Sequence, residues 1–318
     1  MAGLNCSDAP AKTATDGGVA GAGVLLSFII TAGISLVLSL IIVLYEVRRS
    51  SESRVLRKLL LSLSDQQVIT GIGIQSIALA KMKTMVPYHF FIVWMLSLLS
   101  TATHVGTLLA LVNDFKRDWV LRWLREFFMF VNLVLSIVSG ILILMSVMHH
   151  FEPTLPIACV WEVASTGVPS NAVWGVVGTV AVMAGQVVFF LLGVWYMHVK
   201  NRRLVRGVQL AGLVVLVAIG TGAAVRVILL SQAFGTPPVA LEGTDEEEWS
   251  FGQLLPLLML LLPLVSSVEI LRGEMRIPGP VVDDQASLLY GGEKRQEARA
   301  SFQPNPFWGG QSSLLSKR

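Results

Sequence analysis

Seven runs of about twenty mainly apolar residues punctuate this chain, and they limit its fold more than any other feature. They fall at 24–45, 59–80, 88–112, 127–148, 174–199, 210–230 and 251–271. A helix that satisfies its own backbone hydrogen bonds needs about 20 such residues to cross the hydrocarbon of a bilayer. The expected fold is therefore all-α, a polytopic membrane protein of seven transmembrane helices. Composition agrees. Only 14% of the residues are charged and mean hydropathy is +0.67, where a soluble domain carries about 25% charge. An ordinary soluble or disordered chain is excluded, and a net charge of +3 is too small a surplus to recruit a nucleic acid. Three segments follow: an N-terminal tail 1–23, the transmembrane domain 24–271 and a polar tail 272–318. That last segment holds too little apolar surface to pack a core. The first run does not read as a cleavable signal, because polar and small residues precede it with no basic n-region.

Cations set the expected orientation. Arg48, Arg49, Arg54, Arg57 and Lys58 follow the first run, Lys116, Arg117, Arg122 and Arg125 the third, and Lys200, Arg202, Arg203 and Arg206 the fifth. The tail adds Arg272, Arg276, Lys294, Arg295, Arg299, Lys317 and Arg318, whereas the other side has only Lys12, Lys81 and Lys83. The positive-inside rule then puts the C-terminus in the cytosol and the N-terminus outside or in a lumen. Trp119, Trp123, Trp161, Trp174, Trp195 and Trp249 stand near run ends, where an interfacial aromatic belt would place them. Arg226, inside the sixth run, is expected to snorkel or to pair with Glu162 or the acidic loop. That loop, 231–250, has Glu242, Asp245, Glu246, Glu247 and Glu248 and no cation, and reads as solvated.

Cys6 and Cys159 both fall on the non-cytosolic side, where a disulfide between them can persist. Asn5-Cys6-Ser7 is also a glycosylation sequon. Glycan and disulfide would crowd each other, so at most one of the two is expected.

Polar residues in hydrocarbon are the first place to look for function. Ser62, Asp65, Gln66, Thr70, Gly73 and Ser76 share one face of the second helix, and Ser97, Ser100, Thr101, His104 and Thr107 line the third. Asp65 and His104 lie at similar depth, about two turns from the cytosolic boundary. Gln66, Gln67, Asn132, His198 and Glu269 belong to the same half, which gives a polar cluster opening towards the cytosol. Such groups commonly hold helices together by hydrogen bonds. In the functional reading Asp65, kept protonated by apolar surroundings, is a general acid and His104 accepts or relays its proton. No Cys/His spacing fits zinc and no phosphate-cradling loop is present, so neither metal nor cofactor is expected. The seventh run has no lysine for a retinal Schiff base, the third ends in Asn113-Asp114-Phe115 rather than Asp-Arg-Tyr, and no inverted repeat marks a transporter. Ala181-x-x-x-Gly185 and Gly220-x-x-x-Ala224 suit close helix packing and point to a homo-oligomer. Pro256 and Pro263 are expected to kink the seventh helix. In the tail, Asp284 to Leu289 resembles an acidic dileucine signal and Asn305-Pro306-Phe307 an endocytic adaptor motif.

Ser64-Asp65-Gln66-Gln67 with Thr70-Gly71, Tyr88-His89-Phe90-Phe91-Ile92 with His104, and Phe251-Gly252-Gln253 with Pro256 and Glu269 together resemble a large family of multi-span proteins from filamentous fungi. The resemblance covers about residues 20–273 and neither tail. It implies a fungal source and a seven-span topology. Some fungal membrane proteins of similar size and span number are terpene cyclases. By that architectural analogy the first expectation is a membrane-embedded enzyme of specialised metabolism, which protonates and cyclises a lipophilic isoprenoid among membrane lipids. The alternatives are a seven-span receptor-like sensor, or a structural or trafficking membrane protein without catalytic activity. Residence in the endoplasmic reticulum fits the enzyme, and the plasma membrane or endosomal system fits the sensor.

Overall fold

The computed structural model describes residues 6–47, 54–117, 119–149, 151–162, 172–198 and 202–272, and statements about the structure concern these residues. Asn5 and both tail motifs lie outside them. The helices in chain order are α1 (Gly17–Ala20), α2 (Ala22–Val47), α3 (Arg54–Ala80), α4 (Pro87–Ala110), α5 (Val112–Arg117), α6 (Trp119–Met148), α7 (Val173–His198), α8 (Arg202–Leu230), α9 (Phe251–Met259) and α10 (Leu261–Leu271). Two short strands, β1 (Thr13–Ala14) and β2 (Leu241–Glu242), and a 3-10 turn at Ile157–Trp161 complete the elements.

Six stretches are long and apolar enough to cross a bilayer: α1 with α2, then α4, α6, α7, most of α8, and α9 with α10. The protein is thus a mostly helical chain of the polytopic membrane class. Helix α3 is equally long, but its basic first turns and the Asp65-Gln66-Gln67 run lower its apolar character. All six tryptophans expected at helix ends are exposed, whereas Trp94, inside α4, is buried.

Helix α4 is the axis of the bundle. Pro87 stands at its start, where a missing backbone N–H removes no helical bond, and 94% of its apolar window is buried. Helices α2, α3, α6, α7 and α8 pack around it, and α9 and α10 lie outside them against α2 and α3. Close approach is set by glycine at two contacts. A Cβ on Gly71 would sit 2.7 Å from Ser100 Oγ, which fixes how near α3 comes to α4. One on Gly23 would run into the Gln253 carbonyl, so α9 can lie on the start of α2 only because that residue lacks a side chain. Gly220 is consumed in the same way, facing Leu36 and Ala102, while Gly185 faces open space. Of the two small-residue patterns, the one on α8 is therefore occupied within the chain.

The last helix is interrupted at Leu260, whose backbone stays in the right-handed helical region. Helix α9 ends at Met259, Leu260 closes the turn, and α10 begins at Leu261. Pro263 has no N–H to offer the carbonyl four residues earlier, so the hydrogen-bond ladder cannot run through.

The larger departure from expectation is at the end of the bundle where α2 and α4 begin. The segment before α1 folds over that end as part of a cap. Strand β1 pairs in parallel with β2, Thr13 opposite Leu241 and Ala14 opposite Glu242. Cys6 and Cys159 form a disulfide with Cα atoms 5.6 Å apart, and Lys81 Nζ lies 2.7 Å from Asp16 Oδ2. Arg226 stays exposed and pairs with neither Glu162 nor the acidic loop among the described residues.

Candidate functional site

Helix α3 has two polar faces, and the conspicuous one points outwards. Thr70 and Ser76 are exposed and Gly73 faces open space. Thr70 Oγ1 donates to the Gln66 carbonyl at 2.9 Å and Ser76 Oγ to the Ile72 carbonyl at 2.8 Å. Both hydroxyls are thereby satisfied within their own helix. The inward face carries Ser64, Gln67 and Gln75, all buried. Sequence periodicity identifies a face but not the side on which the neighbours stand.

Asp65 sits at the edge of the outward face, its side chain 49% exposed, in an ion pair with Arg125, which is 3% exposed. The same guanidinium donates to Ser64 Oγ at 2.5 Å and lies over the Phe115 ring, 5.3 Å from its centroid. Asp65 is therefore the carboxylate partner of a buried cation, a pairing that the reading of it as a general acid does not include. Arg125, a loop cation by sequence, lies within α6. It belongs to a series on α6, Arg125, Met129, Asn132, Ser136, Ser139, Ile143 and Ser146, whose spacing of three and four defines the buried stripe of that helix. Arg57 binds Asp114 at 2.7 Å at the same end of the bundle. Lys116 on α5 stands 5.6 Å from the Tyr196 ring centroid, and partial burial holds its ammonium pKa below the usual lysine value.

Deeper in the bundle a belt of polar groups crosses α3, α4, α6 and α7. Gln75 Nε2 donates to Asn132 Oδ1 at 2.9 Å, and Asn132 Nδ2 donates to Thr101 Oγ1 at 3.1 Å. Ser97 and Ser136 share a hydrogen bond of 2.8 Å, and Gln186 closes on Ser136 at 2.8 Å. Gln67 Nε2 reaches the Phe28 carbonyl at 3.4 Å and takes no part in the belt.

Thr101, His104, Asn132 and Gln186 converge on one cavity of about 10 Å³, whose remaining walls are Val105, Met129, Leu133 and Phe190. His104 is 2% exposed. The Ser100 carbonyl, one turn back, is a backbone acceptor for the ring, and His104 Nδ1 has no other hydrogen-bond partner. The space suits one water with several polar neighbours. Asn132 and Gln186 each keep an amide N–H beyond the bonds described, so the cavity offers a ring nitrogen and two amide donors.

A second buried polar cluster lies under the cap and gathers Tyr88, His89 and Gln253 around Glu246. Glu246, in the loop expected to be solvated, is 0% exposed. Its carboxylate accepts from Tyr88 OH at 2.9 Å and lies 2.7 Å from His89 Nε2. Asp16 N–H adds a contact at 3.3 Å, and the Glu246 carbonyl receives the N–H of Ala22 at 3.0 Å. Gln253 beside it bonds the Gly23 N–H and the Asp245 carbonyl. A carboxylate removed from water needs donors on every side, and this one has them. The loop is acidic, but one of its five acids is a peg.

Of the residues singled out by sequence, His104 and Asn132 meet at the cavity. Asp65 and Gln66 face outwards. Glu269, on α10, makes no hydrogen bond or ion pair among the described residues. His198 Nδ1 is 2.8 Å from the Val194 carbonyl, one turn away on α7. Gln75, Arg125, Gln186 and Glu246 complete the picture, and of these only Arg125 carried a legible signal, its place in the α6 stripe. No group of three or more His, Cys, Asp or Glu side chains is close enough to hold a metal among the described residues. In comparisons with protein families, curated proteins and solved structures, nothing matched the chain.

Proposed function

We propose that this is a seven-span integral membrane protein, akin to the fungal family it resembles, that binds a lipophilic small molecule in the cytosolic half of its bundle. Helix α3 is counted as a span because its neighbours α2, α4 and α6 are all long and apolar, and its outward hydroxyls are bonded internally. The capped end is assigned to the non-cytosolic side, where a disulfide survives, and the end with Arg57, Lys116 and Arg125 to the cytosol. The observation that carries the binding reading is the convergence of His104, Asn132 and Gln186 on unfilled space. Buried polar groups are normally paired, and His104 Nδ1, on the wall of this space, is one of several in the bundle without an aligned partner.

Catalysis is the narrower form of this proposal. Acid-initiated cyclisation of an isoprenoid would require Asp65 to leave Arg125, so binding at His104 is better supported than proton donation by Asp65. Microsomes carrying the full chain, supplied with an epoxyfarnesylated aromatic substrate, separate the two. Cyclised product that disappears in Asp65→Asn restores Asp65 as an acid. No product, together with saturable retention of the substrate, supports binding alone, and absence of retention overturns the proposal.

The receptor-like alternative has its own support in the cap. Ion pairs or disulfide links tie segment 6–16, the α3–α4 turn and the Ile157–Trp161 region together, a construction suited to an outward-facing domain. A fluorescent tag distinguishes them. Cycling between the cell surface and endosomes favours the receptor, and strict endoplasmic-reticulum residence favours the metabolic protein.

A further inference from the structure

Resting on the binding reading, we infer that the His104 cavity is entered sideways from the bilayer between α6 and α7, and that its ligand is a lipophilic alcohol or epoxide. Helix α4 supplies Thr101, His104 and Val105 to the wall, and α6 and α7 supply both its amides, Asn132 and Gln186, and its apolar groups, Met129, Leu133 and Phe190. Phe190 is half-buried, and its ring meets Phe130, which is exposed, at 6.1 Å between centroids. These two rings and the flexible Met129 side chain stand between the cavity and the lipid. Helix α7 is the least anchored of the long helices: 11% of its apolar window is buried. A small outward movement of α7, with new rotamers at Phe190 and Met129, enlarges a water-sized space without unpairing any backbone group.

The chemistry of the lining selects the head of the ligand. Its spare groups are one imidazole nitrogen and two neutral amide donors, and the cation that acts on His104, Arg125, is held by Asp65. A hydroxyl can donate to the nitrogen and accept from an amide, whereas an epoxide oxygen accepts from both amides. A carboxylate or phosphate would be buried with no counter-charge of its own, which is strongly unfavourable. The apolar tail then lies along Leu133, Phe190 and Phe130 in the seam, where an isoprenoid or acyl chain fits. The oxygen takes the place of a single water, and a ligand group that reproduces that water's hydrogen bonds displaces it without loss.

The test uses the full chain in phosphatidylcholine nanodiscs with two photoreactive probes, a diazirine-bearing farnesol and the matching hydrocarbon without the hydroxyl. Farnesol labelling mapped by mass spectrometry is expected at Met129, Leu133 or Phe190 and exceeds that by the hydrocarbon. His104→Phe, which keeps a ring in place, should lower farnesol labelling about tenfold, the worth of one buried hydrogen bond, and leave hydrocarbon labelling unchanged. Phe190→Ala should raise labelling by both probes. Equal labelling by the two probes, or indifference to His104→Phe, overturns the inference. Specific labelling that maps instead to the Asp65 face overturns this site but leaves the binding reading intact. Labelling restricted to lipid-facing residues such as Leu191 and Leu192 overturns both.

Discussion

At the scale of single residues, the Asp65–Arg125 pair is informative because its two members are so unequally buried. Removing Arg125 leaves a carboxylate whose remaining cation, Lys58, acts on it without a hydrogen bond, whereas removing the charge of Asp65 leaves a buried guanidinium that still has Ser64 and the Phe115 ring. Breaking a buried pair costs about 3–5 kcal/mol and an exposed one about 1 kcal/mol or less. For this half-exposed pair, Arg125→Met is expected to destabilise the bundle by about 2–3 kcal/mol and Asp65→Asn by less. The double substitution should lie closer to wild type than Arg125→Met alone, since neither charge then remains unpaired. Tryptophan-fluorescence melting of the detergent-solubilised chain gives the cycle directly, and strictly additive losses would show that the two side chains do not interact. Glu246 makes a similar case at the capped end. Glu246→Gln keeps the shape but turns an NH2 towards donors, and should cost about 1–3 kcal/mol. Limited proteolysis would show the loss as earlier cleavage in the loop 231–250.

At the scale of elements, α3 shows what the sequence makes legible and what it leaves out. That a helix occupies this stretch follows from its length and pattern. Which of its faces turns inward depends on residues far away in the chain, so Ser62, Asp65 and Thr70 looked like a site while Gln75 did the bridging to Asn132. Helix α6 was legible in principle, because Arg125 continues the spacing of Met129, Asn132 and Ser136. The cap was not, since a loop has no periodicity to read and the burial of Glu246 depends on where α4 begins. Two glycines on α3 turn this into opposite expectations for one substitution. Gly71→Ala would press a methyl against Ser100 Oγ at 2.7 Å, and overpacking of this kind costs about 1–3 kcal/mol. Gly73→Ala meets nothing within 4 Å and should gain up to about 1 kcal/mol from helix propensity. Shifts of the melting temperature in the same direction would show that the two faces of α3 do not differ in packing, and a gain for Gly71→Ala with a loss for Gly73→Ala would reverse them.

At the scale of the whole molecule, orientation and cap chemistry are coupled through one sequon. The disulfide from Cys6 to Cys159 spans 153 residues, so in the chain-entropy account its closure contributes on the order of 4–5 kcal/mol. It forms only if the capped end matures in an oxidising compartment, the side on which Asn5 would also meet the glycosylation machinery. A glycan on Asn5 and a bridge at Cys6 compete for the same space, and the bridge ties Cys6 to a buried partner. Wild-type chain is therefore expected to run without a glycan. Cys159→Ser releases Cys6 but leaves Asn5-Cys6-Ser7 intact, and should produce a fraction with an endoglycosidase-sensitive mass increase. In Asn5→Gln/Cys159→Ser that increase must vanish, which excludes other acceptor sites. Protease treatment of sealed microsomes supplies the other half of the argument: a C-terminal epitope should be digested while the capped end is protected. An accessible capped end with a protected C-terminus would invert the topology. The polar half around His104 would then open to the lumen, and a lipophile made in the cytosolic leaflet would no longer reach it by the shortest path.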